Sequence, residues 1–96
     1  MNWIEIIDLR SAETGLGTFN QTLLGPITGE DRKNDLKKIG LYHNASVETD
    51  FSIHLIWEAK ERSPGKSDLG VRLASALEEF GRVNHSIWIE DEGGER

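Results

Sequence analysis

An α+β fold built on one four-stranded antiparallel sheet follows from three observations in this 96-residue chain. Four short segments alternate apolar and polar residues with the period of a half-buried strand. Two of them, Ile39–Val47 and Phe51–Ala59, flank the polar turn Glu48-Thr49-Asp50 and so predict a β-hairpin. Only Ser67–Phe80 carries a clean helical spacing of apolar residues.

The first strand, Trp3–Arg10, is rich in β-branched residues and apolar on both sides, with Ile4 and Ile6 on one face and Trp3, Ile7 and Leu9 on the other. Two-sided burial predicts a central strand. After a polar Ser11–Gly17 connection, Leu16–Leu24 offers about two helical turns, and Gly25-Pro26 breaks them. A second short helical piece is expected over Glu30–Lys38.

In the hairpin, opposed residues must share parity for the oily faces to lie together. A three-residue loop pairs Val47 with Phe51, Asn44 with His54 and Tyr42 with Ile56, and sets His43 opposite Leu55 on the oily face. Ser63-Pro64-Gly65 is a loop. Ser67 is an N-cap, with Asp68 beside the positive helix end. Leu69, Leu73, Ala76, Leu77 and Phe80 form the buried stripe, and Gly81 is the stop. The last strand, Val83–Glu90, sets Val83, His85, Ile87 and Ile89 on one face and Asn84, Ser86, Trp88 and Glu90 on the other. Residues 91–96 read as a loose tail of a single domain, 1–96.

Strand, helix, strand, strand, helix, strand is the ferredoxin-like βαββαβ order. Right-handed crossovers arrange its strands 4-1-3-2. Helices then cover one sheet face. The other stays bare and carries Tyr42, Asn44, Ser46, Ser52, His54, Ile56, Glu58, Asn84, Ser86 and Trp88. That mixture is too polar for an ordinary core and too aromatic for open water. It suits packing against a second copy, or lining a pocket that combines apolar walls with a few convergent polar groups. A partly solvated surface with scattered aromatics is the plainer alternative.

Bulk composition narrows the function. A chain this short hides only about 60–65% of its unfolded surface on folding, so a partner would add useful stability. With 11 basic and 17 acidic residues the net charge is −6, which argues against a nucleic-acid backbone or an anionic membrane as partner. The absence of cysteine excludes disulfides, thiolate catalysis and Cys-ligated metals. No signal segment or membrane-length apolar run is visible, so a soluble cytoplasmic protein is the expectation. The Asn-x-Ser/Thr triplets at Asn20, Asn44 and Asn84 read as chance.

Parity puts His43 and His85 on oily faces and His54 on the polar one, so the three do not converge and no metal site is expected. His54 beside Asn44 is the candidate general acid or base, because imidazole titrates near neutral pH; a hydrogen-bonded interface histidine is the alternative. Tyr42, Asn44, Ser52, Asn84 and Trp88 are the candidate ligand-binding residues, for a small aromatic molecule. Gly15-Leu16-Gly17 lacks the third glycine of a dinucleotide loop, and no serine sits in a nucleophile elbow. Glu5, Asp8 and Glu58 read as solvated carboxylates or ion-pair partners of Arg10.

The strand end Ile56-Trp57-Glu58-Ala59-Lys60-Glu61, leading through a loop into a helix, resembles the Trp-Glu-Ser-x-Glu run of the antibiotic biosynthesis monooxygenase-like proteins. Asn44-Ala45-Ser46, Ser52-Ile53-His54 and Asn84-His85-Ser86-Ile87-Trp88 are similar to segments of uncharacterised bacterial members. The resemblance implies a dimeric α/β barrel, and in some members oxygenation without metal or flavin. Others degrade haem with an Asn, Trp and His set whose histidine lies on the second helix. Here that helix carries no histidine, Asp8 stands near the position of the asparagine, and only Trp57 carries over by motif. The resemblance thus implies a cofactor-free small-molecule-binding or oxygenase-type homodimer. The alternative is a non-catalytic dimeric module whose open face only packs.

Overall fold

The computed structural model describes residues 2–11, 35–47, 49–58 and 64–91. Strand β1 spans Asn2–Ser11, β2 Leu36–His43, β3 Asp50–Glu58 and β4 Gly81–Ile89, with helix α1 over Asp68–Leu77 between β3 and β4. The helical pieces expected between 16 and 34, and the tail beyond residue 91, lie outside the described residues.

The strands form one antiparallel sheet in the order β2-β3-β1-β4, which reads β4-β1-β3-β2 from the opposite edge. β1 is central because it alternates without a break. Trp3, Glu5, Ile7 and Leu9 are buried on one face, and Ile4 and Ile6 are half-buried on the other. The covered face gathers Trp3, Ile7, Leu9, Leu36, Ile53, Leu55 and Trp57 with Leu69, Leu73 and Leu77 of α1 into one core. Each fully buried side chain of this kind contributes about 1.5–3 kcal/mol. The indole rings of Trp3 and Trp57 stack within it, 6.3 Å apart and 16° from parallel.

Helix α1 starts where Ser67, in extended conformation, accepts a hydrogen bond from Gly70 N–H at 2.9 Å. It ends at Leu77, three residues before the expected Phe80. There the Phe80 N–H bonds to the Leu77 carbonyl, which tightens the chain into a turn and feeds Gly81 into β4.

The hairpin departs from its expected register. His43 pairs with Phe51, Tyr42 with Ser52 and Gly40 with His54, four residues away from the Val47–Phe51 alignment. Parity survives the shift, so each side chain keeps its face. The cause is Asn44. Its Oδ1 accepts the N–H groups of Ser46 and Val47, and this Asx turn ends the strand and makes residues 44–49 the connection. Asn44 therefore does not oppose His54, and His43 is exposed rather than under the oily face. At the other end, Leu36–Lys38 belong to β2 and not to a helix. A bulge at Lys37 lets Leu36 oppose Trp57 while Lys38 opposes Ile56, which turns Leu36 into the core.

Candidate functional site

Two clusters of polar side chains lie back to back through the sheet. On the covered face the centre is Glu5, fully buried among apolar neighbours. Its Oε1 accepts from the Ser67 hydroxyl at 2.7 Å and the Trp57 indole at 3.1 Å. Its Oε2 accepts from Ser67 N–H at 3.1 Å and meets His85 Nε2 at 2.5 Å. A carboxylate offers about four lone-pair sites, and all four are engaged here. The cluster joins β1, β3 and β4 to the first turn of α1. Gly70 makes room for it, since a Cβ there would overlap the Glu5 carboxylate.

The arrangement holds structure together and does not present chemistry. The Ser67 hydroxyl proton is given to Glu5 and its oxygen accepts from Gly70, while Ser67 and His85 are themselves nearly out of solvent. Glu5 was expected to be solvated or to pair with Arg10. Odd parity instead sets it on the oily face beside Trp3 and Ile7, and an ionisable residue in that pattern was the signal available in the sequence. The other carboxylates also chose different partners. Asp8 accepts from the Ser52 hydroxyl at 2.8 Å, Glu58 pairs with Lys37, and Arg10 lies 3.5 Å from Asp50.

The open face is organised by register into rows across the strands. Ile56, Ile4 and Trp88 form one row, with Lys38 at the β2 end. The next holds Gly40, His54, Ile6 and Ser86. Then come Tyr42, Ser52, Asp8 and Asn84, and last Asp50, Arg10 and Arg82. The last two rows floor a groove of about 450 Å³, whose rim includes Asn44. Its apolar walls are Tyr42 and Phe51, with Leu9 and His43 also in the lining, and its polar groups include the Ser52 hydroxyl, the Asn84 amide and the paired charges of Arg10 and Asp50. Arg10 is three-quarters exposed, so its guanidinium is available to a further acceptor.

Four candidate ligand-binding residues, Tyr42, Asn44, Ser52 and Asn84, thus line one groove, Asn44 from the turn and not from a strand. His54 does not line it. Its ring sits 4.5 Å from the Tyr42 ring, tilted by 42°, behind the aromatic wall. Gly40, opposite His54, permits this contact, because a Cβ at that position would overlap the Tyr42 ring. Trp88 lies two rows away, 61% exposed, with its indole N–H given to Ser86 at 2.9 Å. Leu9, Arg10, His43, Asp50, Phe51 and Arg82 in the groove were missed as site residues. Even parity shared with Asp8 and Asn84 was the readable clue for Arg10, Asp50 and Arg82, while Leu9, His43 and Phe51 reach the groove from the other parity.

Among the described residues, no group of three or more His, Asp or Glu side chains is placed to hold a metal ion. No described helix is long and apolar enough to cross a membrane. Comparison with protein-family models, curated proteins and solved structures gives no match to this chain.

Proposed function

We propose that this chain is a ferredoxin-like, homodimeric small-molecule-binding protein. Its open sheet faces meet, as in a dimeric α/β barrel, and its ligand occupies the groove beside Tyr42. The observation that carries this reading is the groove itself. Its volume falls in the range of about 300–1,000 Å³ usual for ligand sites, and its aromatic lining, Tyr42 and Phe51, accompanies several convergent polar groups. A small aromatic molecule bearing a hydrogen-bonding substituent fits that composition, with its ring on Tyr42 and its polar group toward Ser52 and Asn84. Exposed Trp88 beside half-buried Ile4 and Ile56 supports burial of this face by a second copy.

Cofactor-independent oxygenation in the manner of the monooxygenase-like proteins is the reaction proposed for such a site, with His54 as acid or base acting through the Tyr42 side. A second reading, a non-catalytic dimeric module, is favoured by the position of His54 behind the wall instead of in the groove. The test begins with the mass in solution, followed by calorimetric binding of a panel of small aromatics to wild type and Tyr42→Ala. Loss of binding in the variant is expected. A panel that binds nothing, or binds both proteins alike, removes the groove as the site. Oxygen consumption with each binder, abolished in His54→Ala, separates the oxygenase from the binding module.

A further inference from the structure

We infer that the ligand chamber is shared between two copies, which meet about a two-fold axis running along the strands between β1 and β3. The inference rests on the homodimeric reading above and adds the geometry of the pairing and the composite nature of the site.

The open face is self-complementary about one axis and not about the other. A two-fold axis parallel to the strands keeps each row opposite itself and exchanges β1 with β3 and β2 with β4. Under this operation Ile4 meets the partner's Ile56, and Trp88 meets the partner's Lys38, an ammonium over an indole face. In the groove rows Ser52 meets the partner's Asp8, and Asp50 meets the partner's exposed Arg10. Apolar groups meet in the Ile4 row, hydrogen-bonding groups in the Asp8 row and opposite charges in the Arg10 row, while His54 falls on the partner's Ile6.

A two-fold axis across the strands inverts the rows instead. It sets Ile4 against the partner's Asp8 and Trp88 against the partner's Asn84, so a carboxylate is desolvated against a hydrocarbon side chain. The strand-parallel axis also agrees with aligned sheet packing, in which strand directions stay within about 30°. Four strands about 4.8 Å apart and nine residues long at about 3.3 Å give a platform of roughly 500 Å² in projection. Corrugated by side chains such as Trp88, that platform approaches the about 800 Å² per partner of a standard interface.

The consequence concerns the site. The groove rows of both copies lie at the same end of the pair, so the two open grooves face each other and close into one chamber. At each flank Tyr42 of one copy stands opposite Asn84 and Arg82 of the other. An aromatic wall from one chain and a hydrogen-bonding wall from its twin then grip a ligand at each of the two equivalent flanks, and neither copy alone encloses it.

Site-directed cross-linking tests the arrangement, because the chain contains no native cysteine. Tyr42→Cys, Asn84→Cys and Lys38→Cys are made separately at these exposed positions, mixed in pairs, and treated with a short bis-maleimide. Solution mass is measured in parallel. The expected result is a dimeric mass, with a covalent heterodimer forming at least ten-fold faster from the Tyr42→Cys and Asn84→Cys mixture than from Tyr42→Cys with Lys38→Cys. The reverse preference, or equal rates in a dimer of established mass, overturns the axis and the composite chamber while leaving the homodimer in place. A monomeric mass overturns both.

Discussion

The two faces of this sheet carry similar residue types and use them in opposite ways. On the covered face His85, Ser67 and Trp57 together fill the acceptor sites of the buried Glu5 carboxylate and fix the helix to three strands. On the open face Asp8, Arg10, Ser52, Asn84 and Tyr42 are only partly engaged and leave a groove between them. The difference lies in what surrounds each polar group. Enclosure makes an unpaired group so costly that the buried set must close on itself. A solvated face tolerates unused donors and acceptors, and those are what a ligand or a partner recognises.

The contrast predicts a graded set of responses. The largest belongs to Glu5→Ala, which strands His85, the Trp57 indole and the Ser67 amide together. Urea denaturation is expected to show a loss of about 3–5 kcal/mol, from several buried donors left without an acceptor at about 1–3 kcal/mol each. A loss below about 1 kcal/mol would falsify the clasp. Gly70→Ala comes next and has a diagnostic sign. Helix propensity alone favours alanine by about 1 kcal/mol, yet overlap of the new Cβ with the Glu5 carboxylate is expected to destabilise by about 1–3 kcal/mol. A stabilised variant would show that the carboxylate moves aside freely.

Ser67→Ala removes both the N-cap and a donor to Glu5, and about 1–2 kcal/mol is expected. Thermal melts followed by circular dichroism measure it, and an unchanged melting temperature would argue against the cap. The open face is expected to behave the other way round. Trp88→Ala should change the stability of a dilute monomer by less than about 0.5 kcal/mol. At the same time it should weaken self-association by about 2 kcal/mol, roughly thirty-fold, as read by sedimentation. Equal association in both proteins would remove Trp88 from the interface. Gly40→Ala is the finest probe. The fold should persist while Tyr42 is displaced from His54, and the change appears as altered tyrosine and histidine ring resonances with weaker ligand binding.

Local physical chemistry makes most of the fold legible in the chain. Period-two alternation marks β1, β3 and β4, and Ser67 with its following apolar stripe marks α1. Parity also assigns each hairpin residue to its face, and that is why Tyr42, Ser52 and Asn84 gather in one groove. The register of the hairpin was not legible. A side-chain carbonyl, Asn44 Oδ1, captured two backbone donors and took residues 44–47 out of the strand. Competition of that kind between side chain and backbone leaves the alternation intact and only slides it.

The pattern of residues by itself determined an α+β chain with a two-sided central strand, an oily face and a mixed face, because periodicity depends only on backbone geometry. Tertiary structure alone decided which distant donors close on the buried Glu5 carboxylate. Glu5 is held by donors from residues 52, 62 and 80 positions away in the chain. Contacts at that separation are chosen by which surfaces pack, a quantity that no local pattern encodes.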